Sequence, residues 1–278
     1  MPQHLTIDSR LCIGCGECAL DCPTEIIEMD KEQPFVAPEK VENCIQCQHC
    51  LAVCPTGALS LHGFDPANSI AVKENIASSE KLGVLMRSRR STRRYLKEEV
   101  PAADISFLLE TVAHAPTAIN NRGVHFSVID NLEVMEALRR KVYAEMETIY
   151  NNAGFPDNME MLARYIARAL ENKTDTIFRG APHLLIASST KDGPSPAVDC
   201  HIALTYFELL AASMGLGTVW AGLARWVLTT FMPETLTAMG IPESHAIGHM
   251  MAFGKPEVTY HRTVQRTGNP INRIETVT

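Results

Sequence analysis

Long apolar runs, an excess of positive charge and an export signal are all lacking from this 278-residue chain. The most apolar segment, residues 202–219, is interrupted by Glu208 and is shorter than the roughly 20 residues of a membrane span, so it indicates a buried helix. A net charge of −7 supplies no basic field for a nucleic-acid backbone. We therefore expect neither a membrane nor a nucleic acid among the partners.

The first ten residues, MPQHLTIDSR, lack the cationic start and the apolar stretch of a secretory signal. We therefore expect a cytoplasmic protein. With 46% hydrophobic and 21% charged residues, the composition is that of a folded globular chain and not of a disordered one.

Cysteines are scarce over most of the chain: eight of the nine lie between positions 12 and 54, and only Cys200 follows. This asymmetry predicts two domains. The eight cysteines belong to an internal repeat, LCIGCGECALDCPTEII and NCIQCQHCLAVCPTGAL. Turn-forming and polar residues follow Leu61 and indicate a linker. We predict a first domain over residues 1–62, a linker over 63–80 and a second domain over 81–278.

Both repeats have the spacing C-x2-C-x2-C-x3-C-P. A structural zinc site would use two C-x2-C pairs separated by a longer gap. Disulfides would need an oxidising compartment, which nothing in the sequence indicates. Two tandem matches that use every cysteine of the region favour a pair of 4Fe-4S clusters over both alternatives.

This region closely resembles a bacterial-type two-cluster ferredoxin. In that family three closely spaced thiolates bind one cube, and the cysteine before proline binds the other cube. The resemblance implies that Cys12, Cys15, Cys18 and Cys54 hold one cluster, and that Cys44, Cys47, Cys50 and Cys22 hold the second.

Beyond residue 80, the hydrophobic pattern predicts helices with interspersed strands. Helical spacing is found at 105–112, 132–149 and 202–214, whereas 124–129, 184–187 and 245–253 have the pattern of strands. The pattern therefore predicts an α+β arrangement around one sheet.

The segment from Arg89 to Tyr95 packs four arginines and two hydroxyls into seven residues. Such a run is either a solvated surface or a phosphate clamp, because guanidinium groups bind phosphate oxygens in pairs. The residues alone leave these two interpretations about even. The later Gly-Leu-Gly-Thr stretch lacks the third glycine of a dinucleotide fingerprint and follows a helix, so a Rossmann NAD site is not expected.

Arg-Arg-Ser-x-Arg after a short helix resembles the opening motif of the nitroreductase family, which binds the phosphate of FMN. Residues 115–121 resemble its A-P-S-x-x-N loop, residues 215–222 its G-x-G-T-x-W segment, and residues 254–256 with Arg262 its closing strand and tail. In place of the family's frequent Gln-Pro-Trp stands Arg-Gly-Val at 122–124. The resemblance covers about residues 80–266 and implies a nitroreductase-like α+β sandwich that binds FMN and forms a homodimer.

The resemblance also implies roles for single residues. Asn120 would bond the pyrimidine side of the flavin, and backbone groups of Ala221 and Gly222 would approach its reactive N5 edge. The phosphate ligands would be Arg89, Arg90, Ser91, Arg93 and Arg262. No catalytic acid or base is predicted.

A 4Fe-4S cluster passes single electrons, whereas FMN takes up two. We therefore expect an FMN-dependent oxidoreductase of the nitroreductase type, in which electrons are relayed between two clusters and FMN to reduce a small electrophilic substrate, a nitro compound, quinone or enone. A redox partner or NAD(P)H would donate the electrons. One alternative is an electron-transfer or redox-sensing protein without its own small-molecule turnover; another keeps the clusters but has no flavin.

Overall fold

The computed structural model describes residues 5–152, 154–156 and 159–277. These residues form two units, the first comprising Met1–Ala77 and Thr117–Arg122 and the second Ser78–Pro116 and Gly123–Thr278. Residues 1–4 and 278, the outer ends of the two predicted domains, lie outside the described residues. The predicted domain limits stay a prediction, and the short segment 117–122 has its contacts in the first unit.

In the first unit, each cysteine repeat forms a short helix that leads towards a strand. The helices are α1 (Glu17–Leu20), α2 (His49–Val53) and α3 (Val72–Asn75), and the strands are β1 (Leu5–Ile7), β2 (Ile27–Asp30), β3 (Gln33–Val36) and β4 (Leu59–Leu61). Strand β1 pairs antiparallel with β4, and β2 pairs antiparallel with β3. Buried Ile26, Leu51 and Leu59 pack with cysteines of both repeats, so the two repeats share one small core.

The second unit is built on a four-stranded sheet. Its strands are β5 (His125–Ile129), β6 (His183–Thr190), β7 (Gly217–Trp220) and β8 (His245–Gly254), in the spatial order β5-β6-β8-β7 with every neighbouring pair antiparallel. Its helices are α4 (Ser79–Ser88), α5 (Ala102–Val112), α6 (Leu132–Asn152), α7 (Glu160–Glu171), α8 (Pro196–Ser213), α9 (Gly222–Thr230) and α10 (Pro233–Ala238). The α+β arrangement predicted from the sequence is confirmed.

Helices cover both faces of this sheet. Met250 and Ala252 of β8 belong to one core, with residues of α6, α7 and α9, while Met251 and Phe253 belong to a second core with residues of α5 and α8. Because successive side chains of a strand point to opposite faces, burial on both faces explains why β8 is apolar along most of its length. Burial of each of the Met250, Met251 and Phe253 side chains contributes about 2 kcal/mol.

Helix α8 begins six residues before its predicted start at 202, because Pro196 occupies the first helical turn and polar Asp199 and His201 interrupt the apolar pattern there. Its core-facing residues include Cys200, which is fully buried as expected for a thiol that packs as a small apolar group. Within the described part of the chain, no helix has the length and apolar character needed to cross a bilayer.

Candidate functional site

Four thiols drawn from both repeats line one cavity of the first unit. They are Cys12, Cys15, Cys18 and Cys54, accompanied by Gly14, Gly16 and Ala58. Three of these cysteines belong to the first repeat and the fourth to the second. This is the set that the ferredoxin resemblance implies for one cluster.

A second cavity has the complementary arrangement. Its wall contains Cys22, Cys44, Cys47 and Cys50, together with Ile45 and His49. In the described residues no group of three His, Cys, Asp or Glu side chains is placed to hold a single metal ion. The eight thiols surround two cavities, four to each, and four thiolates around a cavity are the donor set that a 4Fe-4S cube requires.

Cys22 and Cys54 would each bind the cluster of the other repeat, and their surroundings favour the thiolate. Burial acts to raise the pKa of the Cys54 thiol, but backbone N–H groups, first that of Ala58, outweigh it, and the pKa falls below its usual value. The Ala58 nitrogen lies 3.2 Å from Cys54 Sγ. At Cys22 the N–H of Ile26 leads a similar set, which likewise overcomes burial and lowers the pKa. Since cluster ligands are thiolates, the same N–H groups suit iron-bound sulfur.

At Cys18, Cys44 and Cys50 burial outweighs the backbone N–H groups, and the pKa of each thiol is raised. Burial raises the pKa of the Cys50 thiol to about 12. Metal binding requires the thiolate, so this thiol would have to release its proton to serve as a cluster ligand.

In the second unit, a cavity of about 320 Å³ opens where the basic segment meets β7. The Thr92 N–H donates to the Thr218 carbonyl at 2.8 Å and fixes the segment beside that strand. The lining includes Arg89, Arg90, Thr92, Gly215, Leu216, Gly217, Thr218, Pro256 and Tyr260. Arg89 and Arg90 supply two guanidinium groups to a cavity that is also lined by glycine-containing backbone. Such a lining can bind an anionic phosphate, so these residues fit the phosphate end of FMN.

Arg89 is oriented by a carboxylate on α8. Its Nη1 donates to Oε1 of Glu208 at 2.9 Å, and the Thr218 hydroxyl donates to the same oxygen at 3.4 Å. The Glu208 side chain is only 8% exposed, and the Arg89 guanidinium offsets the cost of burying a carboxylate there. In the sequence, Glu208 stands out only as an interruption of an apolar run. A lone carboxylate in an otherwise apolar helix was the available signal, since buried carboxylates are nearly always paired.

The Arg89–Glu208 pair leads to a stability prediction. Glu208→Ala leaves the guanidinium of Arg89 partly buried and unpaired, so we expect the free energy of unfolding to fall by about 2 kcal/mol, less than for a fully buried pair. Urea unfolding of the two proteins measures this difference. Glu110→Ala, which removes an exposed glutamate from α5, should have almost no effect. Equal effects of the two substitutions would contradict the assigned role of Glu208.

The other predicted phosphate ligands lie outside the described lining of this cavity. Ser91 forms a parallel bridge with Thr218. The exposed Arg93 donates from Nη1 to the Ser91 carbonyl at 3.5 Å, and Arg262 is exposed on the C-terminal tail. Their contact with a phosphate stays a prediction.

Strand β7 leads from this cavity to Ala221 and Gly222, the residues predicted to meet the N5 edge. The Ala221 N–H is already used by the Met250 carbonyl at 2.9 Å, whereas Gly222 begins α9. The first N–H groups of a helix have no partner within the helix and carry partial positive charge. Of the two, Gly222 is therefore the better placed to offer a backbone donor.

The rings of His201, Trp220 and His249 contact one another beside Gly222, an arrangement that the sequence does not predict. A Cβ atom at Gly222 would lie 3.9 Å from Nε2 of His249. The His249 ring contacts those of Trp220 and His201, with centroids 5.0 and 5.7 Å apart. Burial lowers the pKa of His249 below the usual histidine range, with Arg225 and His201 adding to the effect. His249 is therefore a neutral imidazole near pH 7, with its Nδ1 beside the Met250 carbonyl at 2.9 Å.

Asn120, the predicted flavin ligand, lies in the segment that packs with the first unit. Its side-chain Nδ2 donates to the Ile45 carbonyl at 2.7 Å. Its contact with a flavin stays a prediction.

The chain matches the models of two known families. The model of the nitroreductase family matches residues 86–255, well over half of the sequence. The chain belongs to the nitroreductase family. The model of the 4Fe-4S dicluster domain matches residues 11–59, so this family member carries a ferredoxin-type domain at its N-terminal side. Both resemblances found in the sequence are confirmed.

Among curated proteins, the chain is similar to iodotyrosine deiodinase of Thermotoga neapolitana, with 24% identity over 49% of this chain and 70% of that protein. It is also similar to an NADH dehydrogenase of Thermus thermophilus, with 25% identity over 60% of this chain and 83% of that protein.

Solved structures show the same fold. An FMN-bound nitroreductase from Bacteroides fragilis has 23% identity and a TM-score of 0.56, covering 69% of this chain and 99% of its own. An FMN-bound nitroreductase from Desulfitobacterium hafniense has 22% identity and a TM-score of 0.55, covering 70% of this chain and 100% of its own. The nitroreductase-like fold of the second unit is confirmed.

Proposed function

We propose that this family member reduces a small electrophilic substrate, a nitro compound, quinone or enone, with electrons relayed between two 4Fe-4S clusters and FMN. The observation that carries the proposal is the presence, in one chain, of two four-thiol cavities and a nitroreductase-family unit with an arginine-lined cavity. One-electron carriers and a two-electron flavin are complementary, because the flavin collects single electrons for a two-electron reduction.

The chain's own residues bind and orient these groups. Arg90 on the cavity wall, and Arg89 held by Glu208, are proposed to clamp the phosphate, while the Gly222 N–H at the start of α9 would face the ring. Backbone N–H groups at Cys22 and Cys54 would stabilise charge on the cluster sulfurs. When bound, FMN supplies the two-electron chemistry and the clusters supply single-electron transfer.

NAD(P)H or a reduced protein partner is the proposed electron donor, and a homodimer is the proposed assembly by analogy with the family. A reducing compartment such as the cytoplasm suits eight reduced thiols and their clusters.

Anaerobic turnover tests the proposed function. Protein reconstituted with iron, sulfide and FMN is supplied with NADH or with a chemical reductant, and a nitroarene, a quinone and an enone are offered as acceptors. We expect repeated turnover on at least one acceptor, and its loss in an Arg90→Ala/Arg93→Ala variant that keeps its iron.

Two results would contradict the proposal. Rapid flavin reduction without turnover on any acceptor would favour the electron-transfer alternative. Protein that takes up about eight irons but no FMN would overturn the flavin assignment itself.

A further inference from the structure

The two cluster loops share their spacing but differ in backbone strain. At the two left-handed positions the first loop has Gly14 and Gly16, with φ of 66° and 75°. The second loop has Gln46 and Gln48 there, with φ of 54° and 62°. Glycine adopts this conformation freely, whereas a residue with a Cβ atom does so at a cost. The second loop therefore needs surrounding contacts that hold it in place.

The first loop is supported by the β2–β3 turn. A Cβ atom at Gly14 would lie 2.6 Å from Cβ of Glu32 and 2.9 Å from the Glu32 carbonyl oxygen. The backbone of this loop thus rests directly against the turn, and only glycine permits the approach.

The second loop is supported instead by residues that follow far along the chain. Asn120 donates its Nδ2 to the Ile45 carbonyl at 2.7 Å, and Arg122 donates its Nη2 to Oε1 of Gln46 at 3.1 Å. The supporting segment, Thr117–Arg122, has an internal hydrogen bond that joins its two ends: the Arg122 N–H donates to the Thr117 hydroxyl at 2.9 Å. Both contacts lie within the first unit.

One peptide group links this support to a cluster ligand. The Ile45 carbonyl, which Asn120 binds, and the Gln46 N–H belong to the same planar peptide, and that N–H lies 3.4 Å from Sγ of Cys44. In a trans peptide the oxygen and the hydrogen point in opposite directions. Fixing the oxygen therefore fixes the N–H towards the sulfur.

We propose that Thr117–Arg122 is a brace for the second cluster loop, with Asn120 and Arg122 as positioning residues. They hold the Ile45–Gln46 peptide so that it donates to the Cys44 sulfur and stabilises the charge of the cluster. The inference goes beyond the proposed reaction, because it concerns the second cluster whatever substrate the protein reduces.

The test compares Asn120→Ala with the wild type as anaerobic, cluster-loaded protein. We expect one of the two clusters to lose its iron to a chelator about five to ten times faster, the effect of one hydrogen bond to a partly buried acceptor. The midpoint potential of that cluster, followed by electron paramagnetic resonance (EPR), should become more negative, and the other cluster should keep its wild-type potential. Gln46→Ala, which removes the Arg122 contact but keeps a Cβ atom at the left-handed position, should affect the same cluster in the same direction.

Asn75→Ala is the matched control. Asn75 also donates its Nδ2 to a backbone carbonyl at 2.7 Å, that of Ala71 just before α3, and neither residue is in the described lining of the two cysteine cavities. It should change neither cluster. If Asn120→Ala does not load with iron, Arg122→Ala removes only an exposed contact and should produce a smaller change in the same cluster. Equal effects on both clusters, or wild-type behaviour of Asn120→Ala and Arg122→Ala, would overturn the proposal.

Discussion

Cys54→Ser is expected to abolish the cluster of the first repeat, although Cys54 belongs to the second repeat. Its thiol lines the cavity that holds Cys12, Cys15 and Cys18. Serine does not supply the thiolate that a cube requires, so iron content should fall from about eight to about four per chain. Iron and sulfide analysis of anaerobically purified protein measures the loss, and EPR of the reduced protein identifies the remaining cluster.

Pairs of variants reveal which cluster is lost. Cys54→Ser should have the spectrum of Cys12→Ser, and Cys22→Ser that of Cys44→Ser. If Cys54→Ser instead matches Cys44→Ser, each repeat binds its own cube and the crossed assignment is wrong. Cys200→Ser is the control, because burial raises the pKa of that thiol to about 11 and it lies outside both cavities in the described structure. It should keep all of its iron.

Replacing Arg90 and Arg93 together by alanine is expected to weaken FMN binding about 100-fold or more. Arg90 lines the cavity at β7, and hydrogen bonds to charged groups contribute about 1.5–3 kcal/mol each. Fluorescence titration of cluster-loaded protein measures the dissociation constant. Riboflavin, which has no phosphate, provides an internal comparison, and its affinity should change little.

Arg94→Ala is the control for the charge of the basic segment. Arg94 is exposed and lies 3.8 Å from Glu257, a weak surface pair. It should leave FMN affinity close to that of the wild type. A loss as large as in the double variant would mean that overall charge, and not a phosphate clamp, attracts the ligand. An equal loss of riboflavin affinity would point to a disturbed fold.

Features that depend on neighbouring residues were predictable. The spacing of the cysteines dictates which thiols share a loop, and the proline after Cys22 and Cys54 marks the ligands that leave it. Strand β8 is predictable because burial on both faces favours a run that is apolar along most of its length. Helix α5 was recognised from one apolar face, whose residues Ile105, Leu108 and Val112 are buried.

Features that join distant parts of the chain were not predictable. Arg89 and Glu208 are 119 positions apart, and Asn120 and Ile45 are 75 positions apart. The rings behind Gly222 come from α8, β7 and β8. Local periodicity predicts which face of a helix or strand is buried. It does not predict which distant residue pairs with a polar group on that face.

The two cluster motifs, the family and the α+β character follow from the order of residues alone, because ligand spacing and amphipathic period are properties of short stretches. How these parts are supported depends on the folded chain. It pairs Arg89 with Glu208 across the second unit, and it sets Asn120 on the peptide beside Cys44. Such contacts form when the folded chain excludes water and a buried polar group must find whichever partner lies within reach.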